Sequence, residues 1–504
     1  MIAPPGPMIA PPGSAIAPPG SAIAPPGPVS GLAGTDQTHR VLAGLLEQGL
    51  EPGSGLASRQ GGRPDIRAHA SEWADSGAMW LTGWPGEAPL VPPAPVLGAI
   101  RGITEVLAAL AGWVGDEPWL DPAILIGGRS ALTGQHRGGR ASVGGSCRMV
   151  RAGDDWVAVN LARPDDVLAA AAVLGPQGRN PTPVWAELEP RFARWKGQDV
   201  VERLQELAVP ATILPRGTSP EVALPWRVTT IGTTSDKAGG AIESKLGGLG
   251  YRTPVVVDLS AMWAGPLCAQ LLGRVGMRVI KVESAARLDG ARRANTAFYD
   301  WLHAGHESVV LDFGTNEGRQ ALHQLVAGAD VVVESSRPRA LEQLGIKARS
   351  ILERHEGKTW ISITGHGRDG PRASWVAFGD DAAAAAGLVA WDRTGSPVFC
   401  ADAIADPISG LCAALAGLAS YRRGGGHLID VPLSAAAAFV TERPAQAEAA
   451  YLVSRGPGGS WVVNQNGFAT VVRPPVPPPA GPPARRAGAD TAAVVSQLGP
   501  GGRP

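Results

Sequence analysis

"PVVVDLSAMWAGPLCAQLLGRVGMRVIKVES", residues 254–284, opens on an apolar, β-branched run. A run of that kind suits a strand buried on both faces. An Ala-Gly-Pro turn and the helix-like "LCAQLLGRVG" follow, and "MRVIKVES" reads as a second strand. The alternation continues. "SVVLDF", the helix "NEGRQALHQLVAGA", "DVVVES", "RPRALEQLG" and "TWISITG" succeed one another at intervals typical of parallel sheets with crossover helices. The fold class expected is therefore α/β, with a doubly wound, parallel, Rossmann-like large domain. No GxGxxG follows the first strand, so a dinucleotide fingerprint is absent.

Outward from this block the composition shifts. Residues 1–28 repeat a seven-residue unit, MIAPPGP, MIAPPGS, AIAPPGS, AIAPPGP. Paired prolines fix an extended backbone and remove donors, so 1–71 is expected to be a disordered Pro/Gly-rich leader and linker. The N-terminus lacks a basic region ahead of an apolar core and reads as no signal peptide. Residues 72–240 are expected to hold a smaller α+β domain: "VLGAIRGITEVLAALAGWV" (96–114) has helical spacing and "DDWVAVNLA" (154–162) alternates like a strand. "PDDVLAAAAVLG" (164–175) starts on Pro and ends on Gly, as a helix does. The large domain is expected over 241–440. Residues 441–504 are expected to be a mostly flexible tail with a short closing helix at 487–499.

The charge balance is even, 45 basic against 45 acidic residues in 504. The basic clusters Arg292-Arg293 and Arg485-Arg486 are short and lack interleaved aromatics, which argues against a nucleic-acid partner. There is no apolar run long enough for a membrane helix. Four scattered cysteines with no CxxC suggest neither a zinc site nor a disulfide framework, so no metal is expected and the cytoplasm fits best.

Taken in order, these blocks resemble the family III CoA-transferases, the CaiB/BaiF type, which also contain the 2-methylacyl-CoA racemases. The resemblance rests on 254–284, on "LHAGHESVVLDFGTNEGRQALHQLVAGADVVVESSRPRALEQLGI", on "SITGHGRDGP", and on "ADPISGLCAALAGLASYRRGGGHLIDVPLSAA". Three further segments resemble the family's small domain, which normally follows the large one: "GGRASVGGSCRMVRAGDDWVAVNLARPDDVLAAAAVLG", "VVERLQELAVPATIL" and "LPWRVTTIG". The chain thus reads as a rearranged or circularly permuted member. Residues 76–110 also echo 386–419, with Gly98 facing Asp406, as a degenerate half would.

The resemblance implies CoA transfer between an acyl-CoA thioester and a carboxylic acid through an aspartyl anhydride and thioester. Coenzyme A enters as substrate, and no cofactor is bound permanently. Asp406, in "Ala-Asp-Pro-Ile-Ser-Gly", takes the nucleophile's position. The alternative is an N-cap ahead of Pro407 as first helical residue. Asp402 reads as a loop or charge-partner residue. Asp380 and Asp381 stand where racemase relatives carry a His-Asp pair. Asp381 joins the catalytic set, against the plainer reading of an acid-rich helix start. Implied CoA contacts are Ala264, Gly265, Pro266, Arg287, Arg337, Gly365 and Gly367, with Gly144 and Gly145 of a loop that closes over the aspartate or is simply a linker. Ser284, His303, His306 and Gln343 replace residues that are often basic or amide in the family. Racemisation and a non-catalytic CoA-binding role are the alternatives. A homodimer or an intramolecular pseudo-dimer is expected, since the N-terminal half can fill a partner's place.

Overall fold

The computed structural model describes residues 69–113, 120–173, 184–216, 224–231, 253–336, 338–441 and 450–498, with short pieces between 30 and 59. Along the chain run α1 His69–Asp75, α2 Val96–Leu110, α3 Pro122–Thr133, β1 Cys147–Ala152, β2 Asp155–Asn160, α4 Pro164–Val173, α5 Val184–Phe192, α6 Gly197–Glu206, β3 Ala211–Ile213 and β4 Arg227–Thr230. There follow β5 Val255–Asp258, α7 Ala264–Arg274, β6 Arg278–Ser284, α8 Thr296–His303, β7 Glu307–Leu311, α9 Asn316–Gly328, β8 Val331–Glu334, α10 Pro338–Gln343, α11 Ala348–Arg354 and β9 Thr359–Thr364. The last part holds α12 Gly379–Ala385, β10 Val389–Trp391, β11 Pro397–Phe399, α13 Ala405–Arg422, β12 His427–Pro432, α14 Leu433–Val440, β13 Tyr451–Arg455, β14 Trp461–Gln465, β15 Phe468–Val471 and α15 Thr491–Ser496.

The main sheet has the order β4-β12-β9-β8-β5-β6-β7. Its six strands from β5 to β12 are parallel, and only β4 runs antiparallel, on the edge beside β12. Counting from β5, this is the doubly wound order 3-2-1-4-5-6. The expectation for 224–232 is corrected here: the strand belongs to the large sheet, not to the small domain. Val256, Val331, Val333, Ile361 and Ile429 face one core with α7 and α13, whereas Val255, Val257, Ile280, Val332 and Trp360 face the other with α9, α11 and α15. Alternation along each strand thus feeds two helix layers.

Helix α13 is the centre of the first layer, buried at Ala405 and from Pro407 to Ser420. Leu411 and Leu415 are fully enclosed, each contributing roughly 1.5–3 kcal/mol through burial. Gly410 allows α7 to lie close: a Cβ there would sit 2.6 Å from the Ala264 carbonyl oxygen. Helix α2 packs on α13 within the same core, so α1, α2 and α3 join the large domain. The described residues between 147 and 213 have a core of their own around Val157, Phe192 and Leu204. The other face of that antiparallel sheet, through Met149 and Ala158, packs on Ala384 of α12.

The tail is more ordered than expected. Strands β13–β15 form a meander, and an extended proline-rich strap follows. Glycines receive it: Cβ atoms at Gly77 and Gly127 would lie 2.5 Å from Pro475 Cα and 2.9 Å from Pro475 Cβ. The strap ends where the Ser308 N–H donates to Asp490 (2.8 Å) and the Val310 N–H to Thr491 Oγ1 (3.0 Å), docking α15 beside β7. No helix among the described residues is long and apolar enough to cross a membrane.

Candidate active site

The site forms where the turn 400–404 enters α13. Ala401 (φ 53°) and Ala403 (φ 40°) both lie in the left-handed region, which costs non-glycine residues about 1 kcal/mol or more each. Their N–H groups are paid back by side chains, Ala401 donating to Thr82 Oγ1 (3.2 Å) and Ala403 to Asp380 Oδ1 (3.0 Å). This double reversal drives Asp402 into the interior, where it is fully buried.

Arg129 meets it there. Its Nε donates to Asp402 Oδ2 at 2.8 Å, its Nη2 donates to Oδ1, and the Ser130 hydroxyl donates to Oδ2 at 2.8 Å. Arg129 rides on α3, which is started by the Asp121 cap on the Ala123 N–H and stopped by left-handed Gly134. Its guanidinium stacks 4.4 Å over the Trp263 ring. Trp263 is placed by Met262, whose backbone is left-handed (φ 72°) and whose N–H donates to Asp289. Burial alone would lower Arg129, but Asp402, Asp380 and Asp406 together hold it above its ordinary value.

Asp406 is half-buried on the first turn of α13, its N–H donating to the Ala403 carbonyl (2.9 Å). The helix starts at Ala405 with Ile404 as N-cap, so Asp406 is not the cap and Pro407 is not the first helical residue. Pro407, the third residue of the helix, is tolerated because the N–H groups of a first turn have no intrahelical partner. Gly379 lies against Asp406: a Cβ there would be 2.5 Å from Asp406 Oδ2. Burial pushes Asp406 up to about 7. Asp380 and Asp402 add to this, while Arg129 and the Gly379 N–H oppose it.

Helix α12 sends its two acids in different directions. Asp380 faces Arg129 and Asp406. Burial, then Asp402, pushes it to about 6, against Arg129, the Ala403 N–H and the Ser142 hydroxyl. Asp381 turns under the small sheet instead. It is fully buried, and its Oδ1 accepts from Asn160 Nδ2 and from the Phe378 N–H, both at 3.0 Å. Burial holds it at about 7. The residue placed beside Asp406 is thus Asp380, not Asp381.

Ser142 brings the glycine-rich loop 138–146 to this cluster. Gly144 and Gly145 of that loop border open space, and Gly145 is left-handed (φ 76°). Ala264, Gly265 and Pro266 are buried at the start of α7, Gly265 against the Ser260 side chain. Arg287 is exposed on the turn after β6, at the carboxyl edge of the sheet. Gly365 and Gly367 shape the loop between β9 and α12, Gly365 against Ala377 and Gly367 left-handed (φ 106°). Arg337 lies outside the described residues. His303 and His306 are buried in mutual contact (3.3 Å), His306 pushed down by burial to about 3. Sequence reasoning passed over Arg129, although it is the one charge in "PAILIGGRSALT". A lone cation in an otherwise uncharged helix was the available signal.

Residues 254–468 match the model of CoA-transferase family III. That segment belongs to CoA-transferase family III. An acyl-CoA transferase of Fusarium pseudograminearum is 31% identical over 215 residues, 38% of this chain and 47% of the relative. A succinyl-CoA–D-citramalate CoA-transferase of Chloroflexus aurantiacus is 31% identical over 191 residues, 35% and 47% of the two chains. A succinyl-CoA:glutarate CoA-transferase of Mus musculus is 29% identical over 220 residues, 41% and 50%. The solved CaiB/BaiF family protein of Brucella suis is 25% identical, covering 42% of this chain and 65% of that one, with a TM-score of 0.37. The chain spans about half the length of the curated relatives it matches. Asp380, Asp402 and Asp406 lie within the family III segment, whereas Arg129 and Ser142 come from outside it.

Proposed function

We propose that the chain transfers CoA between an acyl-CoA thioester and a carboxylic acid, with Asp406 as nucleophile. The observation that carries this is a half-buried carboxylate on the first turn of a central helix, held by the Gly379 N–H and facing Arg129. Asp406 attacks the thioester carbonyl carbon, the C–S bond breaks, and CoA leaves as a thiolate from a mixed anhydride. The thiolate attacks the Asp406 carbonyl carbon and expels the first acid, leaving an aspartyl-CoA thioester. The acceptor carboxylate then displaces CoA to form a second anhydride. Return of the thiolate to the acceptor's carbonyl releases the new acyl-CoA and frees Asp406. No net proton is consumed.

A carboxylate held near 7 is a stronger nucleophile than an ordinary one and is still about half ionised at neutral pH. Helix N–H groups and Arg129 favour the oxyanions along the path. The glycine loop, reaching Asp380 through Ser142, supports the exclusion of water that an anhydride needs. That Arg129 comes from the N-terminal segment supports reading that segment as a built-in stand-in for a partner. Exchange of acyl groups between a labelled acid and an acyl-CoA, abolished in Asp406→Asn, tests the proposal.

The carboxyl of Asp380 beside that of Asp406 favours one second reading, α-proton exchange in a 2-methylacyl-CoA. Deuterium uptake from D2O without acyl exchange would mark that reaction.

A further inference from the structure

The guanidinium of Arg129 is only partly used. Nε and Nη2 are locked to Asp402, yet Nη1 has no hydrogen-bond partner among the described residues, and 21% of the side-chain surface stays exposed. The group is rigid: the Asp402 fork fixes its plane, Trp263 supports one face (4.4 Å) and Ser130 holds Asp402. An arginine fixed on two nitrogens, with the third unbonded and Asp406 within its electrostatic reach, is built to receive a planar oxyanion.

We propose that Arg129 docks the carboxylate of the acid substrate through Nη1. This rests on the transfer reaction proposed above. Charge explains when it acts. In the free site Arg129 faces Asp380, Asp402 and Asp406, and a further carboxylate is repelled. Once Asp406 carries CoA as a thioester its charge is gone, and the acceptor carboxylate takes its place before the cation. The acid therefore binds the loaded enzyme far better than the free one, which imposes the order of the two half-reactions. Asp402 is a positioning residue, and α3 delivers the recognition group from outside the family III segment.

Arg129→Lys keeps the charge and loses the fork. The KM for the acid is expected to rise at least about tenfold, the size of one lost charged hydrogen bond, with the KM for acyl-CoA changing less than about threefold. Equal rises in both would overturn the proposal. A second measurement does not need turnover. In Asp406→Asn, which mimics the uncharged state, succinate is expected to slow phenylglyoxal modification of Arg129, mapped by peptide mass spectrometry, and to do so far less in the wild type. No protection in Asp406→Asn would overturn the docking role. Protection in a protein that shows no transfer would instead remove the proposed reaction and leave the carboxylate site standing.

Discussion

Replacing Asp381 by Asn isolates the cost of a buried carboxyl. Asp381 is fully enclosed, its Oδ1 accepts two hydrogen bonds, and neither its Oδ2 nor Asn160 Oδ1 has a partner. Burial raises it from 3.8 to about 7 in the folded chain. The folded state thus binds the proton more tightly than the unfolded chain, and stability falls as pH rises from about 4 to 7, then levels. At 1.36 kcal/mol per pH unit, the penalty is about 4 kcal/mol at pH 8 and about 2 kcal/mol at pH 5. Asn is isosteric and uncharged. It keeps an acceptor for the Phe378 N–H and brings a donor towards the unsatisfied Asn160 Oδ1. Urea unfolding of Asp381→Asn against wild type should show a gain of about 2–4 kcal/mol at pH 8 that shrinks by roughly half at pH 5. Equal stability at the two pH values, or a loss at pH 8, would refute the reasoning and return Asp381 to an ionised, working role.

Three other outcomes follow from the same geometry. Gly379→Ala puts a methyl 2.5 Å from Asp406 Oδ2 and into the Ala403 backbone, so it should cost roughly 1–3 kcal/mol in thermal unfolding and most of the single-turnover acylation rate. Asp402→Ala leaves Arg129 without its fork in a mostly buried setting and should destabilise by about 3 kcal/mol in urea. The acylation rate should rise between about pH 5.5 and 8 as Asp406 ionises, and Asp380→Asn should move that rise to lower pH by removing an anion that holds Asp406 up, as stopped-flow at a series of pH values would read.

The parallel sheet was legible because each of its strands is a short β-branched run between helical patterns, and burial on both faces demands that composition. β4 was not legible as part of it. "RVTT" has a single apolar residue, as an exposed edge strand can, and its partner β12 lies about two hundred residues away. The tail misled for a different reason: its prolines do exclude helix and ladder, but an extended strap needs neither once Gly77 and Gly127 leave room for it. Asp406 stood out only through the family resemblance. The choice between Asp380 and Asp381 was beyond local reading, since neighbours at a helix start point about 100° apart and only the packed small sheet decides which is sealed in. Arg129 meets Asp402 across 273 positions, a pairing no local pattern encodes.

The most direct test is to incubate the purified protein with a panel of acyl-CoAs, quench with hydroxylamine and map the modified residue by peptide mass spectrometry. The account predicts a hydroxamate at Asp406 that disappears in Asp406→Ala. Acyl exchange that persists in Asp406→Ala, or a hydroxamate on another residue of the active wild type, would contradict it.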